Sequence, residues 1–345
     1  MSAMVEHNGH RTSLPDAPGL TMAPHRLPVA RAELPELTVG EVAELGGRLR
    51  ARVRAGVQLP EPVLDVVVAT LLAGGHLLVE DHPGVGKTQL ARTLATSLGG
   101  RFARVQATVD LLPADLVGAN IWQPDTASFQ FRPGPVFANV VLVDELNRAT
   151  PKTQSGLLEA MQEGQVSVDG YSWPLPRPLV VLATQNPLGG EDGTYRLPLA
   201  QLDRFLARVS LGYPSAEQEV ALLRGGHQAM ATTAPVCSLA ELLAAQQATA
   251  GVHAAEALLG YVVGVVQATR IHPLAEVGAS PRAGLGLLAA ARAHAVLQGR
   301  GFVVPDDVQA LAQPVLAHRI QPVATAAAGA SVQVVADALA GVLAR

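Results

Sequence analysis

A chain of 345 residues, 49% of them hydrophobic and 16% charged, can bury the core of one large domain or two modest ones. A net charge of −4 leaves no electrostatic footprint for DNA or RNA, and aromatics at 3% provide almost no stacking platforms for single strands, so nucleic acid is not an expected partner. The single cysteine, Cys237, excludes an intrachain disulfide and fits a cytoplasmic setting.

Residues 1–36 carry Pro15, Pro18, Pro24, Pro28 and Pro35 without periodicity and read as a flexible N-terminal arm. They hold no apolar core of signal-peptide length. Val42, Leu45, Leu49 and Val53 then recur at helical spacing, and a second helix is expected from Glu61 to Leu72, closed by Gly74-Gly75. The most apolar stretch, Val63 to Val79, is broken by Asp65 and Gly74-Gly75-His76, so no membrane span is expected.

Leu77-Leu78-Val79-Glu80 is an apolar strand that runs into Asp81-His82-Pro83-Gly84-Val85-Gly86-Lys87-Thr88-Gln89-Leu90 and then into Ala91-Arg92-Thr93-Leu94-Ala95, which reads as a helix opening. Strand, glycine-bearing turn and Lys-Thr pair come in the order of a phosphate-binding P-loop. Backbone N–H groups of such a turn, with the positive end of the helix dipole, form a concave anion site from His82, Pro83, Gly84, Val85, Gly86, Lys87, Thr88 and Gln89. Lys87 would reach the β and γ phosphates of ATP, and the Thr88 hydroxyl would hold Mg²⁺. The first glycine of the G-x-x-x-x-G-K-[ST] pattern falls on Asp81. Either the chain turns there without a left-handed residue, or Asp81 adopts that conformation itself.

Further along, a short strand is expected at 101–106 and a hairpin from Ile121 to Arg132 with its turn near Pro124-Asp125. Val140-Val141-Leu142-Val143-Asp144-Glu145 is a continuous apolar run ending in two acids, as in a parallel strand buried on both faces. Two adjacent carboxylates in apolar surroundings are costly unless a cation and a polarised water compensate them. Asp144 would serve Mg²⁺, and Glu145 would orient and deprotonate the attacking water. Thr150-Pro151 opens a helix, Asp169-Gly170 turns a second hairpin, and Leu179 to Asn186 is another buried strand. Asn186 could hydrogen-bond the water or the γ-phosphate, or simply form the turn before Pro187.

Beyond Tyr213-Pro214 the composition turns Ala-rich and helical, which divides an α/β domain at 37–213 from an all-helical lid at 214–345. Arg204 precedes this boundary. Arg282 follows Ser280-Pro281 in a helix's first turn, where the dipole disfavours a guanidinium, so it is expected to answer an anion and to couple lid position to phosphate. For each arginine the alternative is a surface salt bridge of little energetic weight. His227, His253, His272, His294 and His318 show no metal-ligand spacing.

Taken together these blocks resemble the MoxR family of AAA+ ATPases over about residues 57–317. Phe131-Arg132-Pro133-Gly134-Pro135-Val136-Phe137, Val143-Asp144-Glu145-Leu146-Asn147-Arg148-Ala149, Ala183-Thr184-Gln185-Asn186-Pro187, Gln201-Leu202-Asp203-Arg204-Phe205 and Gly278-Ala279-Ser280-Pro281-Arg282 carry the likeness. The resemblance implies Walker A at Lys87 and Thr88, Walker B at Asp144 and Glu145, sensor 1 at Asn186 and sensor 2 at Arg282. It makes Arg204 the arginine finger for a neighbouring subunit, with Arg148 a weaker interface candidate, and places the two hairpins where the clade carries partner-engaging inserts. It further implies an ATP-hydrolysing, Mg²⁺-dependent ring, expected to be a hexamer, that remodels a protein client, often through a von Willebrand A-domain partner. The alternative is a nucleotide-dependent scaffold with little hydrolysis. Leu59-Pro60 near the adenine pocket, and Arg196 and Leu199 near the finger, depart from the family pattern and bear on base recognition and on the interface.

Overall fold

The computed structural model describes residues 34–81, 84–185, 194–195, 197–213, 216–217, 220, 223 and 234–342. Two helices lead the chain, α1 (Val39–Gly56) and α2 (Glu61–Leu72). Thr38 caps α1 in a reciprocal capping box with Glu41, which satisfies two end groups that the helix itself cannot. Gly74, with φ +68°, takes the left-handed position that ends α2, and the Gly75 N–H reaches back to the Thr70 carbonyl.

A five-stranded parallel sheet follows, built from β1 (Leu77–Glu80), β2 (Phe102–Gln106), β5 (Val140–Asp144), β8 (Val180–Gln185) and β9 (Ala207–Val209), in the order β2-β5-β8-β1-β9. Every residue of β5 is buried, because helices cover both faces of the sheet. The chain passes from β8 to β9 across β1, which makes the carboxyl end of β1 the crevice where an α/β sheet takes its ligand. Helix α3 (Lys87–Ser97) leaves that crevice, and α4 (Pro113–Val117) and α5 (Pro151–Glu163) pack on the opposite face. Thr150 caps α5 and Pro151 is its first residue.

Two hairpins project from this body: β3 (Gly118–Gln123) with β4 (Ser128–Pro133), and β6 (Gln165–Val168) with β7 (Tyr171–Pro174). The first strand begins three residues earlier than expected. It turns through a 3-10 segment at Pro124–Thr126 and a left-handed Ala127, while the second turns at Asp169 and Gly170, both with positive φ. A 2.6 Å bond from Asn120 Nδ2 to Asp169 Oδ2 and the stacked Phe131–Trp173 pair tie the hairpins together.

After α6 (Leu199–Leu202) and β9, the C-terminal part holds α7 (Leu239–Ala250), α8 (Glu256–Arg270), α9 (Pro281–Leu297), α10 (Pro305–Leu316) and α11 (Ala330–Gly341). It is not purely helical. The strands β10 (Ala275–Val277) and β11 (Gln321–Pro322) pair antiparallel, giving the backbone groups of the two connections partners that no helix supplies. Its apolar residues join those of α1, α2, α3 and one sheet face in a single cluster, so these helices share a core with the sheet. No helix among the described residues is long and apolar enough to cross a membrane.

Candidate functional site

At the carboxyl end of β1 the chain turns with left-handed Gly84 and Gly86 at φ +88° and +95°, conformations that favour glycine. Asp81 is not left-handed, so of the two ways to bend there the first is realised. Its buried side chain serves another purpose: one carboxylate oxygen accepts from the Leu211 and Gly212 N–H groups and the Ser210 hydroxyl. This clamps the loop after β9 to the base of the turn. Gly86 sits at the N-cap of α3, which has neither a side-chain cap nor an acid in its first turn. Its leading N–H groups therefore present positive partial charge to the cleft.

The cleft, about 440 Å³, is lined by Gly84, Gly86, Lys87, Thr88 and Gln89 from the turn, by Arg104 and Gln106 from β2, and by Asp144, Glu145 and Thr184 from the next two strands. Lys87 Nζ donates to the Asp81 carbonyl at 2.8 Å. Burial holds its amine below the ordinary lysine value, against the raising pull of Asp81, Asp144 and Glu145. Asp144 pairs with Arg104 at 2.7 Å. Glu145, left-handed at φ 55°, accepts from Gln106 Nε2 at 2.9 Å and pairs with Arg148 at 3.0 Å. Arg148 thus faces its own chain's carboxylate.

This arrangement fits a polyphosphate and a divalent cation. The uncapped helix end and the open space around Gly84, which has no atom within 4 Å of an added Cβ, leave room for an anion against the backbone. The Thr88 hydroxyl and Asp144 are the cation donors available. Two protein ligands suffice for Mg²⁺, which keeps several waters and phosphate oxygens. Among the described residues no group of three or more His, Cys, Asp or Glu could hold a metal by itself.

His82, Pro83, Asn186 and Arg196 lie outside the described residues. Val85 is buried behind the turn. Leu59 packs in the core and Pro60 forms the N-cap of α2, so both serve the helix start. Leu199 opens α6.

Arg204 and Arg282 are elsewhere. Arg204 lies three residues before β9, in a turn beside the amino end of β1, where the Leu206 N–H donates to the His76 carbonyl. Arg282 donates to Gln162 Oε1 at 3.3 Å, at the end of α5, and its charge is felt by His76. The length of β1, roughly 13 Å for four residues, separates this end of the sheet from the phosphate cradle. The C-terminal helices therefore pack so that Arg282 stands at the end of the sheet away from its own chain's phosphate cradle.

Sequence reasoning did not single out Arg104, Gln106 or Thr184. Their part follows from strand register, which sets Gln106 beside Asp144.

Residues 76–207 match the family model described as ATPase family associated with various cellular activities (AAA), and residues 267–338 match the AAA lid domain. An uncharacterised protein of Bacillus subtilis, YeaC, is 48% identical over 73% of this chain and 79% of its own length. Chaperone MoxR1 of Mycobacterium tuberculosis is 42% identical over 75% of this chain and 71% of its own. A crystal structure of a candidate ATPase from Cytophaga hutchinsonii superposes with a TM-score of 0.80 at 34% identity, covering 88% of this chain and 95% of that one. With relatives of this identity spanning most of both sequences, and an AAA domain followed by an AAA lid, the chain belongs to the MoxR family of AAA+ ATPases.

Proposed function

We propose that the chain hydrolyses Mg·ATP at a seam between identical protomers and uses the cycle to remodel a protein client. The observation that carries this reading is the division of the charged groups between the two ends of the sheet. Lys87, Thr88, Asp144 and Glu145 share one cleft, while Arg204 and Arg282 stand at the far end. A ring brings the two ends together across a subunit boundary.

In the proposed reaction the P-loop N–H groups and Lys87 bind the phosphates, and Thr88 and Asp144 hold the cation. A cation held by Thr88 and Asp144 would supply charge neutralisation for the phosphates. Glu145 takes the proton from the attacking water, with Asn186 as the polar group that orients it. Gln106 and Arg148 both engage Oε2 of Glu145, which leaves Oε1 for the water, and Arg104 engages Oδ2 of Asp144. Arg204 of the neighbouring protomer stabilises the charge developing on the transferred phosphoryl group, an effect worth roughly 10³ to 10⁵ in rate for such fingers. Arg282 acts on the same neighbouring phosphates.

The chaperone label of the mycobacterial relative and the two projecting hairpins support a protein client, engaged directly or through a von Willebrand A-domain partner. The acidic balance argues against nucleic acid and, with one cysteine, suits the cytoplasm. A hexamer is the expected ring. Nucleotide binding by calorimetry and phosphate release, measured on the wild type and on Glu145→Gln while protein concentration is varied, test the reading. Wild-type turnover that rises with assembly and binding without turnover in the variant support it. Release unchanged in the variant contradicts it.

A further inference from the structure

We propose that Arg319, in the lid, is a positioning residue that fixes the turn carrying Arg204, so that Arg204 meets a neighbouring protomer's nucleotide in one orientation; this rests on the reading of Arg204 as acting between subunits. Arg319 ends the 3-10 turn Ala317–Arg319 and is 5% exposed. Its Nη2 donates to the Phe205 carbonyl at 2.6 Å and lies 3.5 Å from that of Leu206, and its Nε is 3.4 Å from Asp203 Oδ1. These contacts bracket Arg204 on both sides.

Two further lid groups grip the same turn. Ser280 Oγ donates to Asp203 Oδ2 at 2.8 Å, and His318 Nε2 donates to the Phe205 carbonyl at 3.1 Å. Burial, and secondly the charge of Arg319, push His318 down to about 3, so its ring is neutral and free to donate in this way. Gly286 leaves the space for the guanidinium: a Cβ there would come within 2.9 Å of Arg319 Nη1. The Arg204 main-chain N–H donates to the Gln201 carbonyl at 3.2 Å, while among the described residues its guanidinium makes no hydrogen bond or ion pair. Everything around it is held while its own head is left available.

A buried guanidinium is a poor way to gain stability. Nη1 has no acceptor, and apolar residues of similar volume commonly match or exceed a buried ion pair. What the planar fork provides is direction, since one rigid group reaches the Phe205 and Leu206 carbonyls while its charge lies beside the Asp203 carboxylate, which an ammonium cannot match. Placement matters at this level, because an error of about 1 Å in a group acting on the transition state costs on the order of 10²-fold. The lid thereby carries Arg282 two residues from Ser280 and also sets the stance of Arg204.

The test uses full-length Arg319→Met, alone and mixed with an excess of Glu145→Gln subunits, with ATP affinity and turnover per competent site as readouts. The expected result is affinity within about twofold of wild type, turnover lowered by roughly 30-fold, and a smaller loss in Arg319→Lys. In mixed rings the Glu145→Gln neighbour lends a correctly held Arg204 to the intact Glu145 of the variant, so turnover recovers several-fold. A generally damaged protein would not recover.

Arg204→Ala mixed with the same subunits is the control. Recovery there with none for Arg319→Met overturns the inference while leaving the finger in place, and so does turnover of Arg319→Met within about twofold of wild type. If Arg204→Ala itself turns over like wild type, the finger assignment is at fault and this inference falls with it. Should Arg319→Met not fold, Arg319→Lys carries the same mixing test, with the same two outcomes.

Discussion

The main-chain N–H of Glu145 donates to the Thr184 hydroxyl at 2.9 Å, and the same hydroxyl reaches Asp144 Oδ1 at 3.4 Å. One buried oxygen on β8 thus touches both acidic residues that end β5. The left-handed backbone at Glu145 costs a non-glycine residue about 1 to 2 kcal/mol and aims its carboxylate into the cleft. Thr184 is the acceptor that keeps the amide of that strained residue satisfied.

Thr184→Val keeps the shape and removes the hydroxyl, leaving the Glu145 N–H without its partner. We expect ATP affinity within about twofold of wild type and turnover down by roughly tenfold, with Thr184→Ser restoring most of it, since one lost buried hydrogen bond costs about 1 to 3 kcal/mol. Steady-state phosphate release over a range of ATP concentrations separates the two effects. A raised KM with unchanged kcat would place Thr184 in binding instead.

Lys87→Ala removes the ammonium that now rests on the Asp81 carbonyl. Calorimetry should show loss of measurable ATP affinity, while thermal stability in the absence of nucleotide changes by less than about 1 kcal/mol. The lysine is partly desolvated and its removal leaves no buried unpaired charge.

Two histidines give the fold an acid-side weakness. Burial holds His76 down to about 4, and burial with the neighbouring Arg319 charge holds His318 down to about 3, against 6.5 for a free imidazole. Each is neutral in the folded chain, with His76 Nδ1 accepting from the Val181 N–H and Nε2 donating to the Met161 carbonyl. Below pH 6.5 the unfolded chain binds protons that the folded chain does not, so stability falls as pH drops from 6.5 toward 4. For His76 alone the loss is roughly 3 kcal/mol at pH 4. Urea unfolding between pH 7.5 and 4.5 checks the sign, and His76→Gln should flatten the slope.

Much of this architecture was legible in the sequence. The strands β1, β5 and β8 announce themselves because parallel strands buried on both faces must be continuous apolar runs, and Asp169-Gly170 announces its hairpin because both positions take positive φ. The strands β9, β10 and β11 are three, three and two residues long, too short for any periodicity to show. The cleft was legible where one local motif supplies the groups, as at Gly84 to Gln89. It was not where register decides, as for Gln106 and Thr184, or where packing of the C-terminal helices decides. Ser280 could be read as a cap for α9, and its side chain does accept from the Ala283 N–H, but a cap does not say which edge of the sheet Arg282 will face.

The C-terminal helices have their own buried charge. Burial would raise the Asp307 carboxyl, but bonds from His294, from both arms of Arg300 and from the Val304 N–H bring it down to about 2. Asp307→Ala strips those partners at once and removes the side chain that caps α10. We expect a loss of about 3 kcal/mol in urea unfolding, with intermediate behaviour in Asp307→Asn.

The central claim is that each nucleotide is served by two protomers, one contributing Glu145 and the next Arg204. Mixing Glu145→Gln subunits with Arg204→Ala subunits tests it most directly. Each alone should be nearly inactive, and the mixture should regain turnover at seams where an intact Glu145 meets an intact Arg204. A mixture no more active than its components, although it assembles and binds ATP, would contradict the account.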